Sequence, residues 1–150
     1  RLITHDGGIA DINTCAQTLA RVEGDGVVKQ CNNLTVTGAV APGFGAAASG
    51  TLNFWHRCTF DDCALEIDVG DKIAIYENQD ISGLTLYVND VSALDQQTAY
   101  TILEGRNGAD FTGEFKGDNI QGCSNWRIRY DHVNNRVLLK YSHGMNIVFR

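Results

Sequence analysis

Trp126–Ser142 reads WRIRYDHVNNRVLLKYS, and its alternation sets the expectation for the whole chain. Trp126, Ile128 and Tyr130 alternate with Arg127, Arg129 and Asp131, a period of two that turns one side of a strand to a core and the other to water. Asn134-Asn135 suits the positive φ angles of a tight turn, and Arg136–Ser142 returns with Val137, Leu139 and Tyr141 on one face. A further turn at Ser142-His143-Gly144 leads into Asn146–Phe149. This end of the chain reads as an antiparallel meander.

Working back toward the N-terminus, the same signal recurs. Lys72–Tyr76 and Leu84–Val88, rich in β-branched and aromatic residues, read as a strand pair about the polar turn Glu77–Gly83. Ala64–Val69 and Thr51–Cys58 read as further strands, Val27–Cys31 and Leu34–Val40 as one strand or two around Asn32-Asn33, and Thr98–Leu103 as one after an ambiguous stretch from Val91. Only one segment reads as a helix, over residues 13–23. There Ile12, Cys15, Leu19 and Val22 follow three-to-four spacing, Thr14 and Gln17 fit a capping box, and Gly24 can end it. The expected fold is therefore mainly β, an antiparallel sandwich or barrel-like domain over residues 1–150 with one short N-terminal helix. No internal repeat of fixed period is visible, which argues against a solenoid or propeller.

Composition bounds the function. Hydrophobic residues make up 43% of the 150 and charged residues 20%, with a single proline, Pro42; this is the usage of an ordered globular chain of one-domain size. The net charge of −6 and pI near 5.0 disfavour nucleic-acid binding, which relies on Lys and Arg displacing counterions. No stretch approaches the ~20 apolar residues of a spanning helix, so no membrane insertion is expected. Charge is uneven: residues 1–95 hold 5 basic and 13 acidic side chains (−8), and 96–150 hold 7 basic and 5 acidic (+2). Such polarity can steer a partner or orient copies head to tail.

Five cysteines, Cys15, Cys31, Cys58, Cys63 and Cys123, lack zinc-finger spacing and are disulfide candidates, with one left over. With a chain that begins at Arg1 rather than Met, as a processed form would, they point to a secreted, extracellular protein. Asn33-Leu34-Thr35 is an N-glycosylation acceptor at Asn33.

Candidate sites are few. Gly38–Gly50, GAVAPGFGAAASG, carries no charge; an apolar loop is either buried or awaits a partner, and Val40, Phe44, Ala46 and Ala47 are its candidate self-assembly contacts. An acidic patch comprises Asp61, Asp62, Glu66, Asp68 and Asp71, without the ligand spacing of a calcium loop. Arg127, Arg129 and Lys140 form a basic patch on the hairpin. His56, Cys58 and Asp61 resemble a catalytic triad only in being sequence neighbours, and no nucleophile motif accompanies them. Trp55, Trp126, Tyr87, Tyr100 and Tyr130 are the aromatics available for stacking on sugars.

No catalytic residue, metal site or cofactor is expected. The reading that follows is a non-enzymatic extracellular structural or interaction protein, a self-assembling subunit of a surface fibre or shell whose partners are copies of itself. The alternative is a secreted monomeric effector, toxin-like or glycan-binding domain that meets a host protein or glycan.

Overall fold

The computed structural model describes the chain except Asp6, Thr14, residues 44–48, Val69, Ala93, Cys123, Ser124 and residues 144–150. Every regular element among the described residues is a strand. Most pairs are parallel, and successive passes of the chain stack as a β-solenoid of about 4 turns. The antiparallel sandwich with an N-terminal helix is thereby overturned.

One sheet stacks β1 (Leu2–Thr4), β3 (Gln17–Gly24), β5 (Leu34–Pro42), β8 (Cys63–Ile67), β11 (Leu84–Val88) and β14 (Gly117–Ile120), with β7 (Thr59–Phe60) also on β5. A second stacks β2 (Ile9–Asp11), β4 (Val27–Lys29), β6 (Thr51–Phe54), β9 (Lys72–Ile75) and β12 (Tyr100–Gly105). A third, shorter sheet pairs β10 (Gln79–Asp80) with β13 (Phe111–Thr112). The chain crosses from one sheet to the next and returns one level up, which is how parallel neighbours are connected without helices.

Stacking places like on like. Val22, Val40, Leu65 and Leu86 form one column by register, and Leu52, Ile73, Leu103 and Val137 form another in the facing sheet. All eight are fully buried, each contributing about 1.5–3 kcal/mol through removal of apolar surface from water. The period-two alternation of the sequence is therefore real, but it serves parallel coils.

The repeat escapes a fixed-period search because the coils differ in length. Ile9 lies on Val27, Val27 on Asn53, Leu52 on Ile73 and Ile73 on Leu103, so successive offsets are 18, 26, 21 and 30 residues. Strand pairing from sequence fails for the same reason. β9 and β11, expected to form a hairpin about Glu77–Gly83, lie in different sheets, and the intervening segment carries β10.

The expected helix is strand β3, paired on both sides by β1 and β5. Leu19 and Val22, three residues apart, both reach the core because the ladder shifts register between Leu19 and Arg21, where β5 advances from Val36 to Ala39. A bulge thus imitates helical spacing. Cys15, expected on the buried stripe, is exposed.

The hairpin read from Trp126–Ser142 is present, as β15 (Trp126–Asp131) against β16 (Arg136–Tyr141), with Asn135 at φ 53° in its turn. β16 adds antiparallel to β12 and so ends the parallel run of the second sheet. Asn146–Phe149 lies outside the described residues.

Close stacking leaves no room for side chains at some corners. A Cβ at Gly83 would lie 1.9 Å from the Phe60 carbonyl oxygen, whereas one at Gly117 would meet nothing nearer than Thr85 Cγ2 at 3.9 Å. Gly83→Ala is expected to cost about 1–3 kcal/mol by forced overpacking, and Gly117→Ala to stay within about 0.5 kcal/mol of the parent. Urea unfolding of the two variants measures the contrast.

Candidate functional site

Among the described residues, the third face of the stack is interrupted between β7 and β10. β7 lies on β5, and β10 lies under β13, but among the described residues no backbone pairing joins β7 to β10. The side chain of Gln79 fills the break. Its Oε1 accepts from the Cys58 N–H at 2.9 Å, and its Nε2 donates to the carbonyls of Cys58 (2.8 Å) and Asp80 (2.9 Å). Gln79 is only 3% exposed, so one amide satisfies backbone groups that would otherwise be buried without partners.

Two adjoining clefts open over this break, of about 530 Å³ and 420 Å³, sharing Cys58, Thr59 and Asp80 in their walls. The larger is bordered by Asp61, Asp62 and Lys116, with Lys116 Nζ 2.7 Å from Asp62 Oδ1. The smaller is bordered by Asn32, Arg57, Asn78 and Thr112. Asp80 Oδ1 accepts from the Ser82 N–H at 2.9 Å, and Asn78 Oδ1 from the Asp110 N–H at 2.9 Å. Each polar head is thus oriented by the backbone at one end.

The acidic run of the sequence does not form one patch. Asp61 and Asp62 border the larger cleft, Glu66 accepts an ion pair from Arg21 at 2.8 Å, and Asp68 accepts from Asn89 Nδ2 at 2.7 Å. Asp71 is buried, receiving the N–H groups of Gly50 (2.7 Å) and Asp68 (3.1 Å). No group of three or more metal-ligating side chains occurs among the described residues. Arg21 also pairs with Glu23, as does Arg1. Burial alone would raise the Glu23 carboxyl, but the two guanidinium hydrogen bonds outweigh it and hold the group below its ordinary value.

Of the proposed loop contacts, Val40 is a fully buried core residue, and Phe44, Ala46 and Ala47 lie outside the described residues. Arg127 and Lys140 are register partners across the hairpin, and Arg129 lies two residues along from Arg127; all three are exposed. Asn33 is exposed in the turn before β5. Of the aromatics, Trp126 is buried between Tyr100 and Tyr141, and the Tyr130 and Tyr100 hydroxyls accept backbone N–H groups. Trp55 and Tyr87 remain exposed at 43% and 38%.

The expected disulfides are absent among the described residues. Cys31, Cys58 and Cys63 are buried free thiols, Cys15 is an exposed one, and Cys123 lies outside the described residues. Apolar columns recruit cysteine as a small hydrophobe. The hydrogen bond with Cys31, together with burial, pushes the Cys58 thiol well up, and desolvation lifts Cys63 to about 12. The neighbouring His56 Nδ1 accepts the Gln30 N–H at 3.0 Å. His56 Nδ1 is thereby committed to the backbone, and the Cys58 thiol to Cys31.

Comparison with protein-family models, curated proteins and solved structures finds no match. The clefts must be read from their own chemistry. Gln79 and Asp80 were not singled out in the sequence, where they look like ordinary turn residues. Only the offset that sets Cys58 beside Gln79 gives them their place.

Two measurements bear on these groups. Alkylation of the native protein followed by peptide mapping is expected to label Cys15 promptly and to leave Cys31, Cys58 and Cys63 unlabelled until denaturant is added. Desolvation raises the Asp71 carboxyl to about 6 from 3.8. The folded state then holds its proton more tightly than the unfolded chain, so this group's contribution to stability falls as pH rises from about 4 through 6. The stability advantage of the parent over Asp71→Asn is expected to shrink across that window in urea titrations. A constant gap would show that Asp71 titrates normally.

Proposed function

We propose that this chain is a non-enzymatic structural and interaction module, a rigid solenoid segment that associates with copies of itself through its strand edges to build a fibre or shell. The observation that carries this reading is the condition of the two ends of the stack. At the first coil, β1 pairs only with β3 and β2 only with β4, so their outer backbone groups have no ladder partner among the described residues. A parallel sheet edge of this kind is a template for another strand.

The two ends differ in how they are guarded. β15, the last strand of the second sheet, carries exposed Arg127 and Arg129, charges of the kind that discourage edge pairing. The first coil exposes Ile3 at 37% and Ile9 at 60%, and the exposed charge on its strands, Asp11, is paired with Lys29 at 3.3 Å. The favoured contact is therefore head to tail, with the first-coil edge of one copy meeting β14 of the next, whose outer side has no ladder partner among the described residues either. The sequence polarity of charge supports this less directly, because many of the acids lie along the middle coils, at the cleft or in ion pairs.

Sedimentation velocity over a concentration series, with electron microscopy of the same samples, tests the reading. The parent is expected to associate as concentration rises, and Ile9→Lys, which places a charge on the open edge, is expected to remain monomeric at the same concentrations. A parent that stays monomeric throughout would overturn it.

A further inference from the structure

We infer that the break in the stack between β7 and β10, with the aromatic edge beside it, is a binding site for a neutral saccharide chain. This inference is independent of edge-to-edge association, because the site lies on the side of the solenoid.

The aromatic edge follows from register. Phe54 lies on Ile75 and Ile75 on Gly105, so the next residues of each coil, Trp55, Tyr76 and Arg106, follow one another at the roughly 4.8 Å spacing of paired strands. The Trp55 and Tyr76 rings are 6.2 Å apart, and Arg106 Nη1 donates to the Tyr76 hydroxyl at 3.3 Å. Tyr76 thus props Trp55 from one side while 43% of Trp55 stays exposed. A propped, exposed indole offers a flat apolar face at little entropic cost to a ligand with a flat C–H face of its own.

Two residues further along the chain, Arg57 enters the smaller cleft. Here the polar groups suit hydroxyls. Asn78 and Asp80 are each fixed through Oδ1 by a backbone N–H, while Asn78 Nδ2 and Asp80 Oδ2 have no hydrogen-bond partner among the described residues. One is a donor and the other an acceptor, both pre-oriented at the cleft wall. Vicinal hydroxyls, which donate and accept, match such a pair, and a pre-oriented pair loses little freedom on binding. The two clefts share the Asp80 wall, so a chain of several sugar units can continue from one into the other.

Charge selects against acidic polymers. Asp61, Asp62, Asp80 and Glu77 surround the site against Arg57 and Lys116, and Lys116 is already committed to Asp62. A sulfated or uronic chain would meet net repulsion, whereas a neutral one would not.

The full chain is titrated with neutral hexasaccharides (cello-, malto-, manno- and chito-oligosaccharides) and, in parallel, with polygalacturonate and heparin. Binding is followed by tryptophan fluorescence and calorimetry at concentrations where sedimentation shows monomer. Trp126 is buried in the core at 2% exposure, so the fluorescence change reports Trp55. At least one neutral hexasaccharide is expected to bind. Trp55→Ala and Asn78→Ala are expected to weaken it by about tenfold or more, while Trp55→Tyr retains most of the affinity. Both alanine variants alter exposed side chains, and an unchanged urea midpoint confirms their fold. Three outcomes would overturn the inference: no neutral oligosaccharide binding at millimolar concentration, affinity unchanged in both alanine variants, or tighter binding of an anionic polymer.

Discussion

Parallel pairing between successive coils is the constraint on which everything else in this protein rests. Each strand must find its hydrogen-bond partners one level above and below, so a residue sits on its equivalent in the next coil and inherits that equivalent's environment. The column Val22, Val40, Leu65 and Leu86 is apolar throughout because every member faces the same interior. The same rule brings Trp55 beside Tyr76 and sets Glu23, which is paired with Arg1 and Arg21, beside Ala41. Stability in such a stack is local, with each coil supporting its neighbours.

The coils are unequal, and their inequality creates the surface features. Extra residues leave the stack as turns, for instance among the described residues between β11 and β12. Where the third face changes partners, from the β5–β7 pair to the β10–β13 pair, the ladder is broken and the Gln79 amide takes its place. A backbone ladder would leave no cleft there. A side chain that bridges the break satisfies the buried groups of Cys58 and still leaves Asp80 and Asn78 at the wall of an open site. Asp71 does comparable work at another corner, holding the Gly50 and Asp68 amides. Buried polar side chains here replace missing ladder bonds, so their environments are perturbed for structural reasons.

Much of the strand content was legible in the residues. Lys72–Tyr76, Leu84–Val88 and Leu34–Val40 are strands as read, and so is the Trp126–Tyr141 hairpin, whose partners are close in sequence and joined by a tight turn. The reading failed when that hairpin was extended to the rest of the chain. Local alternation says which side of a strand is buried, but nothing in it says whether the hydrogen-bond partner lies five residues away or thirty. The helix over residues 13–23 failed for a related reason, since a register shift between paired strands set Leu19 and Val22 at helical spacing.

The cysteines show the same division. Their number suggested cross-links, yet Cys31, Cys58 and Cys63 are packed as free thiols; they therefore lend no support to an oxidising setting. The sequence by itself determined several strands, among them β5, β9 and β11, and that the C-terminal segment folds back on itself, because those depend on neighbours within a few residues. Only the tertiary structure decided that the strands stack in parallel, that Gln79 closes a gap beside Cys58, and that Asn78 and Asp80 line one cleft with Arg57. Those relations join residues on different coils, and coils of unequal length leave no period in the sequence from which to recover them.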